Sequence, residues 1–485
     1  MPLGIEMTET VRTDVLIIGA GAAGLRAAIA AAAKGVEVLV VAKGAEDAPT
    51  CTTVAWGGIT YAEERHCDEL FRQVVHVGGF LNRQPLVEVF AAHTPGRMAE
   101  LAGFGVNGAV LRNADREHVL GLTRFPGADR EAGYALTRPL RQRAEALGVR
   151  FLDRTAVVTL LVRDGRVTAA AALDLDRGNR VLPVSASAVV LASGGGAGMF
   201  GCTDNPRGTT GDGIALAYNA GAELVDLECV SLQYPAARLQ ALLASGGDPA
   251  QAFLDTGTAH YFLGGVAIGP DTRTTVEGLY AAGECAGGVF GAARLGGAAL
   301  AEAIVFGAVA GENAAELARI RRAPSAPDTG ALMNDTQACL GRGPVRVAET
   351  RERLGRILWE CAGPVKTEAS LMEAEERLGE LSARTRTADA ADGTGAALHE
   401  QVELEAMLTL APLLCRASRM RRETRGCFWR ADHPQPDHDG WLRNIVVRRG
   451  ADGPEWEVRP VTVTRSMPPS EPPIGAGCFG YLPNL

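Results

Sequence analysis

Residues 14–41 leave this chain few choices of fold. Asp14-Val-Leu-Ile-Ile18 is an apolar run of strand length, Gly19-Ala-Gly-Ala-Ala-Gly24 is a glycine turn, Leu25 to Lys34 is an alanine-rich helical stretch, and Val36 to Val41 is a second apolar strand. Strand, turn, helix and strand in that order make a βαβ frame, the start of a Rossmann-like α/β domain. In the GxGxxG pattern Gly19 permits a tight turn, Gly21 lets backbone approach a pyrophosphate, and Gly24 allows close helix–strand packing, while the helix N-terminus attracts phosphate charge. The expectation is a bound dinucleotide. The second strand ends Val40-Val41-Ala42-Lys43-Gly44, without the acid that commonly bonds a ribose hydroxyl.

Composition narrows the class. Of 485 residues 47% are hydrophobic and 22% charged, enough apolar material for a packed core. The net charge of −9 excludes a non-specific nucleic-acid binder, which needs a basic surface. The ten cysteines include no CxxC pair, so no metal centre is expected and the thiols read as reduced in a cytoplasm. The first residues carry acids where a signal peptide carries a basic run, and no stretch of about 20 apolar residues escapes charge or glycine, so no transmembrane segment is expected.

Three further glycine-rich segments offer backbone to a large ligand. These are Thr50 to Ile59 with Trp56-Gly-Gly, Gly194 to Gly198 after an apolar strand at Ala188 to Ala192, and Gly278-Leu-Tyr-Ala-Ala-Gly-Glu284. Arg294-Leu-Gly-Gly297 follows, before a helix expected at Ala298 to Leu317.

These segments, with Asn205-Pro, Thr210-Gly-Asp-Gly-Ile-Ala215, His260-Tyr-Phe-Leu-Gly-Gly265, Leu300-Ala-Glu302 and Arg422-Glu-Thr-Arg-Gly426, stand in the order found in one flavoprotein family. The chain resembles succinate dehydrogenase, fumarate reductase and L-aspartate oxidase flavoproteins. The resemblance implies non-covalent FAD, a Rossmann-like FAD-binding domain, a C-terminal α-helical domain, and hydride transfer to the flavin from an anionic small molecule by CH–CH or CH–NH oxidation. It implies cofactor contacts at Gly19, Gly21, Ala22, Ala23, Gly24, Lys43, Gly44, Thr52, Gly57, Gly58, Ala156, Gly194, Gly195, Asp212, Gly283, Glu284, Ala299 and Leu300. His260 and Arg294 match the residues that grip substrate carboxylate in relatives, and Gln233 and Arg425 fall in the same site. A planar guanidinium suits that task, since it binds carboxylate as a bidentate fork. Glu284 is expected to take a flavin or ribose hydroxyl, replacing the missing strand-end acid.

The chain also departs from the family. Only Ala236 to Ala259 separate Tyr234-Pro235 from His260, so the capping domain is vestigial, one helix at about Ala236 to Ser245 and a turn at Gly246 to Pro249. Gln233 replaces the histidine of an HPT motif, and Arg238 is the sole arginine left to stand for the cap's proton shuttle. Phe290, Ala293 and Phe428 replace polar family residues and predict a less polar or larger substrate than a four-carbon dicarboxylate. Cys51 lies where some relatives bond the flavin, but a small buried filler is the ordinary role of such a thiol. The missing cap also fits a homo- or hetero-oligomer in which an iron–sulfur or other electron-transfer subunit completes the site.

The expected boundaries are 8–322 for the FAD-binding domain with 236–259 as cap remnant, 323–339 for a linker, 340–465 for the helical domain and 466–485 for an extended Pro/Gly-rich tail lying across this subunit or a neighbour. Thr367 is expected to cap a helix whose Leu371, Ala374, Leu378 and Leu381 form one apolar stripe. A second linker at Arg384 to Gly395 precedes a helix at Ala397 to Met420.

Overall fold

The computed structural model describes residues 6–113, 116–122, 132–177, 180–234, 249–321, 327–340, 347–387 and 395–468. The strand Val11–Ile18 lies between Val38–Val41 and Arg180–Leu191, with Arg150–Leu152 beyond Val38–Val41, all parallel. Val15 to Ile17 and Val38 to Val41 are buried throughout. That explains their unbroken apolar runs, because a parallel sheet is covered on both faces. The N-terminal half of Arg180–Leu191 pairs antiparallel with Arg166–Asp174, and its C-terminal half pairs with Leu279–Ala281.

The helix expected after the glycine turn is Ala22–Ala32, and it packs on the helix Ala298–Ile320. A side chain at Gly311 would stand 2.2 Å from the Ala27 carbonyl, so only glycine lets the two backbones meet. Ala298–Ile320 is long and apolar enough to cross a bilayer, but its apolar stretch is 78% buried in this fold. Its apolar stretch is that of a core helix, and its charged Glu312, Glu316 and Arg319 gather in the C-terminal half.

The C-terminal third is only partly helical. Val347–Ala362, Glu368–Thr387 and Gly395–Met420 pack together, and the stripe Leu371, Ala374, Leu378 and Leu381 is buried. Thr367 caps its helix as expected, its hydroxyl accepting from the Ser370 N–H at 3.1 Å. The helical domain expected to reach residue 465 instead ends in a β-hairpin, Arg443–Arg449 and Pro454–Pro460. The hairpin extends a sheet whose other strands, Leu224–Val225, Gly265–Ala267 and Ala286–Gly287, belong to the flavin half. The linker expected at 323–339 contains a helix, Thr329–Leu340, started by Asp328, whose Oδ1 accepts from Ala331 N–H at 2.9 Å. Glu368–Thr387 also runs into the second expected linker.

The helix expected at 236–245 lies outside the described residues. Of the turn expected at Gly246 to Pro249 only Pro249 is among the described residues; it begins a helix, Pro249–Thr256, which leads into Thr258–Phe262, paired antiparallel with Val230–Gln233. Residues 464–466 of the chain's end are clasped by the buried Gln84, whose Oε1 accepts three successive backbone N–H groups at 2.9–3.0 Å. Of the expected tail, Ser466 is thus held on this subunit through its N–H and its carbonyl, and residues beyond 468 lie outside the described residues.

A buried charge knot joins the halves. Arg421 donates to Glu228 at 2.7 Å, Glu423 at 3.0 Å and Asp226 at 3.4 Å, and to the carbonyls of Trp441 and Arg443. Asp226 in turn accepts from Asn444 at 2.6 Å and from the Ile445 N–H at 2.9 Å.

Candidate functional site

At the carboxyl ends of the parallel strands, where Val38–Val41 and Arg180–Leu191 flank Val11–Ile18, the chain opens a cavity of about 1570 Å³. Open α/β sheets bind ligands at such a switch point. The cavity exceeds the several hundred cubic ångströms of an ordinary small-ligand pocket. Gly19 turns the chain at φ +110°, and a side chain there would stand 2.3 Å from the Ala192 carbonyl. The first turn of Ala22–Ala32 carries no acid, and its N-terminus faces the Thr52 hydroxyl, which accepts from the Ala22 N–H at 3.2 Å. A helix start pressed against a glycine loop, with the positive end of its dipole toward the cavity, suits a pyrophosphate.

Gly19, Gly21, Ala22, Ala23, Lys43, Gly44, Thr52, Gly57, Gly58, Ala156, Gly194, Asp212, Gly283, Glu284, Ala299 and Leu300 all line this one cavity. Two expected contacts stand behind it. Gly24 makes room for the Gly19 carbonyl, and Gly195 lies against the Glu284 carboxylate. Glu284 Oε1 also accepts from the Phe262 N–H at 3.0 Å, and burial pushes this carboxyl up to about 7. Behind it, Glu302 is buried at 1% exposure and pushed up to about 8 by burial.

His260, Arg294 and Gln233 meet in the same wall. His260 leaves the strand Thr258–Phe262 with Nδ1 2.9 Å from Asp204 Oδ2 and Nε2 3.2 Å from Gln233 Nε2. Asn205 holds the His260 carbonyl from below. The Arg294 guanidinium lies over the Tyr261 ring, 4.7 Å from its centre. Cys51 also lines the cavity, with Sγ 3.4 Å from the Thr209 hydroxyl. Burial pushes its thiol far up, so it is protonated at neutral pH.

Arg425 is not in the wall. It is buried at 2% exposure and pairs in a bidentate fork with Glu423 at 2.8 and 2.6 Å, with a further bond to the Gly79 carbonyl. Its expected place in the site is therefore corrected to a structural one. Phe290, Ala293 and Phe428 also stand behind the wall, Phe290 packing edge-on against Phe90 and Tyr261. Their substitution does not set the polarity of the lining.

Sequence reasoning missed the contribution of the C-terminal half. His399 and Glu403, from Gly395–Met420, reach the cavity, and Glu403 pairs with Lys43 at 2.7 Å and with Arg351. Lys43 bridges Glu403 to Asp212; burial would depress its pKa, but the two carboxylates hold it above the ordinary lysine value. Asp204 was missed as well, since a lone aspartate in a loop carries no signal of its own.

Comparison with known proteins gives the family. Residues 14–246 and 249–300 match the model of an FAD binding domain, and residues 351–473 match that of a fumarate reductase flavoprotein C-terminal domain. The chain is 30% identical to a subunit of the CoM/CoB fumarate reductase of Methanothermobacter marburgensis over 91% of its length and 98% of the relative's. It is 29% identical to the L-aspartate oxidase of Streptomyces coelicolor over 96% of each. These alignments run to 546 and 572 positions, more than the 485 residues here, so the relatives carry stretches this chain lacks. The fold matches that of the E. coli quinol fumarate reductase flavoprotein at a TM-score of 0.82 and 24% identity, covering 96% of this chain and 99% of that one. The chain therefore belongs to the FAD-dependent oxidoreductase family of fumarate reductase, succinate dehydrogenase and L-aspartate oxidase flavoproteins.

Proposed function

We propose that the protein oxidises a carboxylate-bearing small molecule, L-aspartate-oxidase-like, at a CH–CH or CH–NH bond. The observation that carries this reading is Arg294, lying over Tyr261 beside His260, in the wall of the cavity that fits the cofactor. Bound FAD supplies a hydride acceptor at N5. Arg294 grips a carboxylate in a bidentate fork and places the reacting bond. Gly19, Gly21 and the helix start hold the pyrophosphate, and Glu284 takes a hydroxyl of the cofactor. The protonated, buried Cys51 thiol supports a non-covalent flavin. The nine described cysteines, all free, support action in a reducing cytoplasm.

The test is anaerobic mixing of the yellow protein with L-aspartate, succinate and a panel of larger amino and carboxylic acids while the flavin absorbance is followed. Rapid bleaching by one acid, lost in Arg294→Ala, supports the reading. Bleaching by dithionite alone refutes it.

A second reading is a flavoprotein subunit that passes electrons to an iron–sulfur or other partner chain. It is favoured by Trp56, a large aromatic 83% exposed on the cavity edge, and by relatives named as subunits. Co-purification of a coloured partner that speeds reoxidation of the flavin tests it.

A further inference from the structure

A family oxidoreductase moves a proton as well as a hydride. In this chain the interval between Pro235 and His260 holds Arg238 as its sole arginine, and the histidine expected before it is Gln233. The described wall offers another acid–base group. His260 Nδ1 lies 2.9 and 3.1 Å from the two Asp204 oxygens, on a loop fixed by Thr203, whose hydroxyl donates to the Ala259 carbonyl at 2.8 Å. With Nδ1–H donated to Asp204, Nε2 is the acceptor, and the Gln233 amide is the donor that meets it at 3.2 Å. A carboxylate behind an imidazole fixes its tautomer and stabilises its protonated form.

We propose that His260, held by Asp204 with Nε2 basic and turned into the cavity, is the proton acceptor and donor of this site, with Asp204 as its positioning residue. The inference rests on the proposed carboxylate oxidation. In that direction the substrate displaces the Gln233 amide and one C–H or N–H proton passes to Nε2. The neighbouring C–H leaves as hydride to the flavin, and its two electrons go with it. The substrate keeps the new C=C or C=N bond, and the imidazolium is neutralised by Asp204. The reverse reaction returns the same proton. Other titratable groups facing this pair are Glu284, which is coupled electrostatically to His260 and Arg294, and Cys51, which is coupled to Asp204.

The test uses the holoprotein labelled with 15N-histidine, whose eight histidines are assigned with the aid of His260→Asn. The expected spectrum shows the neutral His260 ring protonated on Nδ1. Asp204→Asn is expected to admit the Nε2–H tautomer, because the anionic acceptor that selects Nδ1–H is gone, and Asp204→Glu to restore Nδ1–H. Where L-aspartate or succinate bleaches the flavin, Asp204→Asn lowers the bleaching rate at saturating acid and Asp204→Glu restores it. His260→Gln then slows bleaching about 100-fold or more at unchanged flavin content. A proton on Nε2 alone in the wild type, a tautomer unchanged in Asp204→Asn, or an Asp204→Asn variant in which only the half-saturating concentration changes overturns the proposal. The spectra are read without turnover, so failure of the proposed oxidation and failure of this pair are distinguishable.

Discussion

Arg421→Met tests what ties the two halves of the molecule together. The wild-type guanidinium has 0% exposure and faces Glu228 and Glu423, also at 0%, and Asp226 at 2%. Methionine fills a similar volume but removes the cation and all five hydrogen bonds. Breaking a buried ion pair from one side costs about 3–5 kcal/mol, because the remaining charge stays buried. Burial and Glu228 already push Asp226 upward against the pull of Arg421, so the variant's Asp226 sits higher still. For a carboxyl, a folded pKa above the unfolded one adds no cost below the unfolded pKa and the full cost above the folded one. The loss is therefore larger at pH 8 than at pH 5. Urea titrations followed by tryptophan fluorescence measure it, with Arg448→Met, from a pair exposed by 59% and 52%, as the control that changes little. A loss below about 1 kcal/mol, or one equal at both pH values, refutes the reasoning.

Gly19→Ala places a Cβ 2.3 Å from the Ala192 carbonyl at φ +110°, and flavin affinity is expected to fall at least about tenfold, read by fluorescence titration of flavin-stripped protein. Glu284 sits at about 7, so the flavin-stripped protein should lose stability as pH rises from 5 through 7.5. Glu284→Gln should flatten that slope in thermal melts. Leu378→Ala, at 1% exposure in the helical stripe, should cost about 2–5 kcal/mol in urea without weakening flavin binding in fluorescence titrations.

Legibility in the sequence followed the range of the signal. The turn at 19–24, the stripe at 371–381 and the Thr367 cap are local patterns, and the structure places them as expected. The hairpin of Thr155–Arg163 and Arg166–Asp174 was also local. Its Asp164-Gly165 turn has both residues at positive φ, a strong hairpin signal that was passed over. Val446, Val447 and the Asp452-Gly453 turn hid the second hairpin inside a stretch whose helices had set the expectation. Nonlocal partners were not legible. Arg425 looks the same in sequence whether it meets a substrate or Glu423, and only folding brings Asp204 to His260 or Glu403 to Lys43.

The strand pair at 443–460 also sets an order of events during synthesis. The Leu224–Val225 strand and the carboxylate of Asp226 wait for Asn444 and Ile445, more than 200 residues later in the chain. A nascent chain released from the ribosome only as far as residue 420 carries every glycine loop, yet leaves Asp226, Glu228 and an open sheet edge without their partners. The sheet through Leu224–Val225 is therefore completed only after the C-terminal hairpin has emerged, and a fusion or truncation at that end reaches the flavin half through that sheet.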